Sequence, residues 1–177
     1  MRLCRGLFAV AALCLAGQAL AEPKHVPDTI AFALMSGKCS TLKVAGSEFA
    51  CKAVSFYQTE AGRANFTIVL DDPKDERHII TFSGDNGLRQ NETYELPIDR
   101  MLLKSKDSPT DTDGLPVATV EASNGKCRQL GSFVTGQISN ISCSATDRNG
   151  KTYQLEFKSN GAPTLLWHVK ESQPTIR

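Results

Sequence analysis

Four cysteines in two look-alike stretches constrain the fold most strongly. Residues 36–42 read Ser-Gly-Lys-Cys-Ser-Thr-Leu, and residues 124–130 read Asn-Gly-Lys-Cys-Arg-Gln-Leu. A second cysteine follows each copy, Cys51 after the first and Cys143 after the second. We interpret this recurrence as two related β units, each stapled by its own disulfide.

The first 21 residues have the features of a secretory signal. Arg2 and Arg5 give a positively charged start, and residues 7–16 form an apolar stretch too short to span a bilayer. Residues 19–21 read Ala-Leu-Ala, a typical cleavage site, so the mature chain is expected to begin at Glu22. The short signal is typical of bacteria and predicts the periplasm, with full secretion as the alternative.

Charge and length narrow the class of protein. Removing the first 21 of 177 residues leaves 156, which suits one domain over residues 22–177. The mature chain keeps 18 basic residues against 19 acidic ones, because two of the 20 basic residues lie in the signal. This balance gives no reason to expect nucleic acid as a partner. No other apolar run is long enough for a transmembrane segment.

The cysteine count predicts disulfides in the oxidising space outside the cytoplasm. Four cysteines allow three pairings, and we favour Cys39–Cys51 and Cys127–Cys143 because each pair lies within one copy of the repeat. Each bridge would contribute about 3 kcal/mol on the chain-entropy model. The absence of a Cys-x-x-Cys motif and the scattered histidines argue against a metal or redox site.

Most of the mature chain reads as short strands between turn residues. Residues 152–158 show the pattern best, because Tyr153, Leu155 and Phe157 alternate with polar residues and follow the turn dipeptide at 149–150. The other predicted strands are 29–35, 51–57, 65–70, 78–82, 93–96, 101–104, 117–122, 141–146 and 164–169.

Two local assignments depend on the repeat. Residues 29–35 could form a helix behind Pro27-Asp28, but they precede the first Gly-Lys-Cys as 117–121 precede the second, so we predict a strand. The Gly-Lys-Cys segments themselves, including residues 123–125, are predicted as turns.

The expected fold is all-β, an antiparallel sandwich or barrel built from two related disulfide-stapled units at about 28–104 and 115–171. Each unit alone is marginal in size, so we expect one shared core. Lys104–Leu115 is a polar connector or surface loop, and residues 171–177 form a polar tail.

Acidic segments are the first candidates for ligand binding. Residues 111–114 read Asp-Thr-Asp-Gly, but Pro109 and Val120 stand where a calcium loop needs oxygen ligands. We therefore predict a solvated loop there. Residues 71–76 predict a charged hairpin tip, with weak cation binding as the alternative.

Catalytic motifs are missing from the chain. Ser36, Ser83 and Ser132 each lie beside a glycine and are expected to be turn serines. His78 and His168 are predicted strand residues, and a base facing a carboxylate across the sheet is the alternative.

The single tryptophan, Trp167, is expected to share a strand face with Leu165 and Val169 and to pack in the core. The alternative is an aromatic platform for a sugar or a peptidoglycan fragment, which Tyr153, Tyr57 or Tyr94 could join.

Three hypotheses for function remain, and no cofactor or metal is expected. The favoured one is a non-enzymatic envelope protein that binds a protein, glycan or lipid partner; the oligomeric state stays open. The second is an inhibitor of a lysozyme or protease that acts through a stapled loop, Ser40–Ala50 or Arg128–Ser142. The third is an enzyme with a site assembled from distant strands.

Overall fold

The computed structural model describes residues 29–59, 61–132, 135 and 137–167. The predicted signal, His168 and the predicted tail lie outside these residues. Within them the chain forms twelve strands and no helix. The strands are β1 Thr29–Met35, β2 Gly37–Val44, β3 Ser47–Glu48, β4 Ala50–Thr59, β5 Ala64–Asp71, β6 Ile79–Gly84, β7 Leu88–Gln90, β8 Thr93–Lys104, β9 Thr119–Ser132, β10 Gln137–Asp147, β11 Thr152–Ser159 and β12 Leu165–Trp167.

All twelve strands belong to one antiparallel sheet, so the all-β antiparallel prediction is confirmed. The hydrogen-bonded order is β12-β1-β4-β5-β6-β8-β9-β10-β11-β2-β3, and β7 pairs with β8. Strands that follow each other along the chain are mostly neighbours in the sheet, as short turns require. The described part of the chain has no helix long and apolar enough to cross a membrane.

The core lies on one face of this sheet. Strand β8 illustrates the cause, because Tyr94, Leu96 and Ile98 are buried while Glu95 and Pro97 between them are exposed. The same alternation in the other long strands places their buried apolar side chains in one continuous cluster. The predicted strands 93–96 and 101–104 are one strand, β8, rather than two.

Both Gly-Lys-Cys copies lie inside strands, so their prediction as turns was wrong. Gly37 begins β2, and Gly125 lies within β9. A Cβ atom on Gly37 would overlap the Lys158 carbonyl oxygen and the Phe157 ring, and one on Gly125 would overlap the Ser144 carbonyl oxygen. The glycines therefore allow the neighbouring strand to approach closely, rather than allowing the chain to reverse.

Both predicted disulfides are present, one between β2 and β4 and one across the β9–β10 hairpin. Cys39 on β2 bonds Cys51 on β4, with 5.8 Å between their Cα atoms. Cys127 on β9 bonds Cys143 on β10, with 4.0 Å between their Cα atoms, and the two residues are direct partners in the register. Cys127–Cys143 therefore reinforces a backbone pairing, whereas Cys39–Cys51 links two strands that are not hydrogen-bonded to each other.

The two bridges should differ in their resistance to reduction in the native protein. Cys127 and Cys143 are buried, with exposed fractions of 0% and 3%, whereas Cys39 and Cys51 are half-buried. A thiolate must reach a sulfur atom to open a bridge, so dithiothreitol should reduce Cys39–Cys51 first. Alkylation followed by peptide mass mapping measures the order. Concentrated guanidinium chloride should abolish the difference; equal native rates would contradict the prediction.

Alanine at Gly125 should destabilise the fold. Its Cβ would collide with the backbone of β10, and the strand shift that relieves the collision should cost about 2 kcal/mol. Urea unfolding measures the loss. The control is Asn124→Ala, an exposed neighbour on the same strand, which should change stability by less than about 0.5 kcal/mol. Equal stability of the two variants would show that the close approach is unimportant.

Candidate functional site

A break in the strand beside β8 creates the most distinctive surface feature. Strand β6 pairs with β8 from Arg100 to Lys104, and β7 pairs with it from Thr93 to Glu95. Pro97 lies in the gap between these two pairings. Because proline has no backbone N–H, no hydrogen-bond donor is left unpaired at this position. A Cβ on Gly84 would overlap the Pro97 carbonyl oxygen, so the chain leaves β6 in close contact with β8.

The break opens a groove of about 330 Å³ on the outer face of β7, β8 and β9. This volume is at the lower end of the range for small-molecule sites. We call it the β7 groove. Its lining combines two apolar side chains with six polar ones: Leu88 and Pro97, with Asn86, Gln90, Asn91, Thr93, Glu95 and Arg128.

One face of β7 lines the groove while the other face anchors the strand. Leu88 and Gln90 face the groove, and Arg89 between them lies on the opposite side. The Arg89 guanidinium lies 5.3 Å from the centroid of the Tyr94 ring, and its Nη1 donates to the Gly131 carbonyl oxygen at 3.0 Å. The Gly131 N–H in turn donates to a backbone oxygen of the β7–β8 turn, at residue 92, at 2.8 Å. The β7 hairpin is thereby fixed to β9.

Aromatic packing supports this anchor from below. The Tyr94 ring meets Phe56 edge-on at 5.9 Å, and Phe56 packs against Phe66 at 5.2 Å. Burial raises the pKa of the Tyr94 phenol, and nearby Arg89 partly opposes the shift. Beside them, buried Gln129 donates through Nε2 to the Gly131 oxygen, while its Oε1 has no hydrogen-bond partner in the described part of the chain.

A second arginine fixes the start of the β6–β7 link. Arg63 Nη1 donates to Ser83 Oγ at 3.1 Å and to Asp99 Oδ1 at 2.9 Å. Its Nη2 donates to Asp99 Oδ2 at 2.8 Å and also contacts Asp85, the first residue after β6. The hydrogen bonds from Arg63, together with Arg100, lower the pKa of the Asp99 carboxyl to about 2.

His78, for which the alternative prediction was a role as a base, lies at the end of the sheet opposite the β7 groove. His78 Nδ1 is 3.0 Å from Asp72 Oδ2, and the imidazole ring meets Phe49 edge-on at 5.1 Å. The carboxylate comes from the loop just before His78, not from across the sheet. Its hydrogen bonds with His78 and with the Lys74 N–H lower the pKa of the Asp72 carboxyl.

The acidic segments use their oxygens to close loops. Asp111 Oδ1 accepts the backbone N–H groups of Asp113 and Leu115. Asp75 Oδ2 accepts the Lys106 N–H at 2.7 Å, which ties residues 71–76 to the loop after β8. Among residues 29–167, leaving out the undescribed positions 60, 133, 134 and 136, no group of three His, Cys, Asp or Glu side chains could hold a metal.

The proposed aromatic platform is not formed by Tyr153. That side chain is 1% exposed, belongs to the core and donates its hydroxyl to Asp147 Oδ2 at 3.2 Å. Burial and the Asp147 carboxylate raise the pKa of Tyr153 to about 12. The backbone of Trp167, in β12, pairs with Phe32 of β1. The side chain of Trp167 is not among the described parts of the structure.

The two stapled segments do not both form protruding loops. Ser40–Ala50 is a regular hairpin, whose two-residue turn at Ala45 and Gly46 has positive φ angles of 51° and 88°. Arg128–Ser142 includes residues 133, 134 and 136, which lie outside the described residues. Ser83, predicted in a turn, is a buried residue of β6.

The sequence did not predict the β7 groove. Strand β7 has only three residues and no apolar alternation, so the sequence pattern does not predict it. The available signal was Pro97 inside an alternating strand, because such a proline indicates a missing neighbour.

Comparisons of the chain with protein-family models, with curated proteins and with solved structures found no match. What the groove can bind therefore follows from its lining side chains.

Replacing Arg63 should make stability less dependent on pH in acid. Because Asp99 has a pKa of about 2 instead of 3.8, its ion pair stabilises the native state above about pH 4 and is lost as the pH falls towards 2. Asp99 is 46% exposed, so screening limits this contribution to about 1 kcal/mol. The stability gap between wild type and Arg63→Met should therefore shrink between pH 4 and pH 2, as measured by urea unfolding.

The matched control is Arg148→Met, at an exposed arginine of the β10–β11 turn. Its stability should follow that of the wild type throughout this pH range. A gap for Arg63→Met that stays constant from pH 5 to pH 2 would contradict the assignment of the Asp99 shift to Arg63.

Proposed function

We propose that this chain is an exported, non-enzymatic binding protein of the bacterial cell envelope that recognises its partner through the β7 groove. The observation that carries the proposal is Leu88, an apolar side chain that is 66% exposed within a polar groove. An exposed apolar residue on an anchored hairpin is a common feature of recognition surfaces.

The anchoring contacts favour binding because they reduce its entropic cost. Arg89 holds one face of β7 to Tyr94 and Gly131, and Arg63 holds the β6–β7 link at Asp85. A loop already held in one conformation loses little freedom when a partner binds.

The same proposal includes closure of the sheet into a barrel. Strand β1 lies between β4 and β12. Strand β2, which follows β1 in the chain, lies between β3 and β11. Counting the pairs β1/β2, β3/β4, β6/β7 and β11/β12 as single interrupted strands reduces twelve strands to eight. Eight strands suit a closed antiparallel barrel whose interior is filled by side chains. The two Gly-Lys-Cys copies are proposed as related stapling units of this one domain.

The two disulfides also support export. Two disulfides suit an oxidising compartment, and the predicted signal at residues 1–21 gives the route to it. The periplasm is therefore the proposed location.

The groove is better suited to binding than to catalysis. Its charged lining residues, Glu95 and Arg128, form an ion pair at 3.7 Å, and the others are amides, a hydroxyl and apolar groups. The lining residues include no histidine or cysteine that could act as base or nucleophile.

Leu88→Asp should abolish partner binding with the fold intact. The immobilised mature protein would be exposed separately to purified sacculi, membrane vesicles and periplasmic extract from its host. We expect one fraction to be retained, with at least about tenfold weaker retention by Leu88→Asp, because a charge in the contact must be desolvated.

Leu115→Asp is the matched control, because Leu115 is 62% exposed but lies in the loop at the other end of the sheet. Its retention should equal that of the wild type. Equal retention by both variants would exclude the groove as the binding surface, and no retention of any fraction would overturn the proposal.

A further inference from the structure

We infer that the β7 groove binds an uncharged glycan, with the C–H face of a sugar ring against Leu88 and Pro97 and its hydroxyls on the surrounding amides. This inference rests on the proposed function and names the ligand class of that same site.

The floor of the groove offers side chains rather than free backbone. Glu95 of β8 pairs with Leu88 of β7 on one side and with Arg128 of β9 on the other. A peptide strand therefore cannot add to the sheet at Glu95, and at Pro97, in the gap between β6 and β7, the missing N–H removes a ladder donor. A ligand seated in the groove must be recognised by the side chains around it.

The charges that line the groove cancel. Glu95 and Arg128 face each other at 3.7 Å, and both side chains are more than half exposed. Arg89 is held on the opposite face of β7 by Tyr94 and Gly131, and Lys126, the exposed register partner of Pro97 on β9, lies outside the lining. With no unpaired positive charge in its lining, the groove favours a neutral ligand over a phosphate or an acidic polymer.

The amides supply the hydrogen-bonding pattern that neutral sugars need. Asn86, Gln90 and Asn91 line the groove, and their side chains make no hydrogen bond within the described part of the chain. Each amide presents a donor and an acceptor together, as do two adjacent hydroxyls of a sugar ring. These amides therefore offer paired contacts without first breaking an existing bond.

The positions of the amides are fixed by the backbone. Asn86 and Asn91 have φ angles of 59° and 52°, in the left-handed region that asparagine adopts more readily than most residues. They therefore hold the two ends of β7 in place. Gln90 lies beside Asn91, on the same face of β7 as Leu88.

The apolar part of the lining suits a ring rather than an acyl chain. Leu88 and Pro97 are exposed, but they are the only two apolar side chains among the eight that line the groove. Two contacts can cover one face of a sugar, whereas a lipid chain needs a long apolar channel.

The test is a titration of the ¹⁵N-labelled mature protein with chitotriose and with maltotriose, two uncharged trisaccharides. Separate titrations with a neutral extended peptide and with phosphatidylglycerol vesicles cover the other ligand classes. We expect amide shifts at residues 86–95 and 128 for at least one saccharide, with a dissociation constant in the millimolar range or tighter.

Two variants that carry the same Gln→Leu substitution, one inside the groove and one outside it, complete the test. Gln90→Leu removes a groove amide but keeps its size, and it should weaken saccharide binding at least about fivefold. Gln154→Leu makes the same change at an exposed position of β11 and should leave binding unchanged. An equal effect of the two variants would overturn the inference.

Failure of the inference can be distinguished from failure of the proposed function. If neither saccharide shifts the groove amides, or if the peptide or the vesicles shift them more strongly, the glycan inference is wrong. The proposed function survives that result when an envelope fraction is still retained in a Leu88-dependent manner, and it fails as well when no fraction is retained.

Discussion

The structure depends on backbone hydrogen bonding between strands that follow one another along the chain. This pairing joins β4 to β5, β5 to β6, β8 to β9 and β9 to β10, and so gives the sheet its order. Short turns bring such neighbours together at little entropic cost. The Cys127–Cys143 bridge joins two directly paired strands and reinforces the sheet order, whereas Cys39–Cys51 joins β2 to β4, which are not hydrogen-bonded neighbours. One face of the resulting sheet carries the core.

The groove exists because this pairing is interrupted once beside β8. Pro97 has no N–H to offer a neighbour, and the chain uses that gap to pass from β6 to β7. Two arginines then fix the segment, Arg63 at its start and Arg89 at its hairpin. Burying polar contacts around guanidinium groups costs desolvation, but it leaves a short segment with one conformation.

The two ends of the sheet use polar side chains differently. At the end opposite the groove, Asp72, Asp75 and Asp111 accept backbone N–H groups of their own or neighbouring loops. Those carboxylates stabilise turns. In the groove, Asn86 and Gln90 are left without such partners in the described part of the chain. This contrast separates structural polar groups from groups that a ligand can use.

The sequence by itself determined the strand-rich class, the disulfide pairing and most strand positions, because alternation and short cysteine spacing are local properties. It could not determine that Gly125 belongs in a strand, since the reason is the approach of Ser144 from the next strand. Alternation places Tyr153 on one strand face with Leu155 and Phe157, but only the structure shows that this face is the core. The groove was decided by tertiary structure alone, because Pro97, Leu88 and Arg128 come from three strands that meet only when the sheet forms.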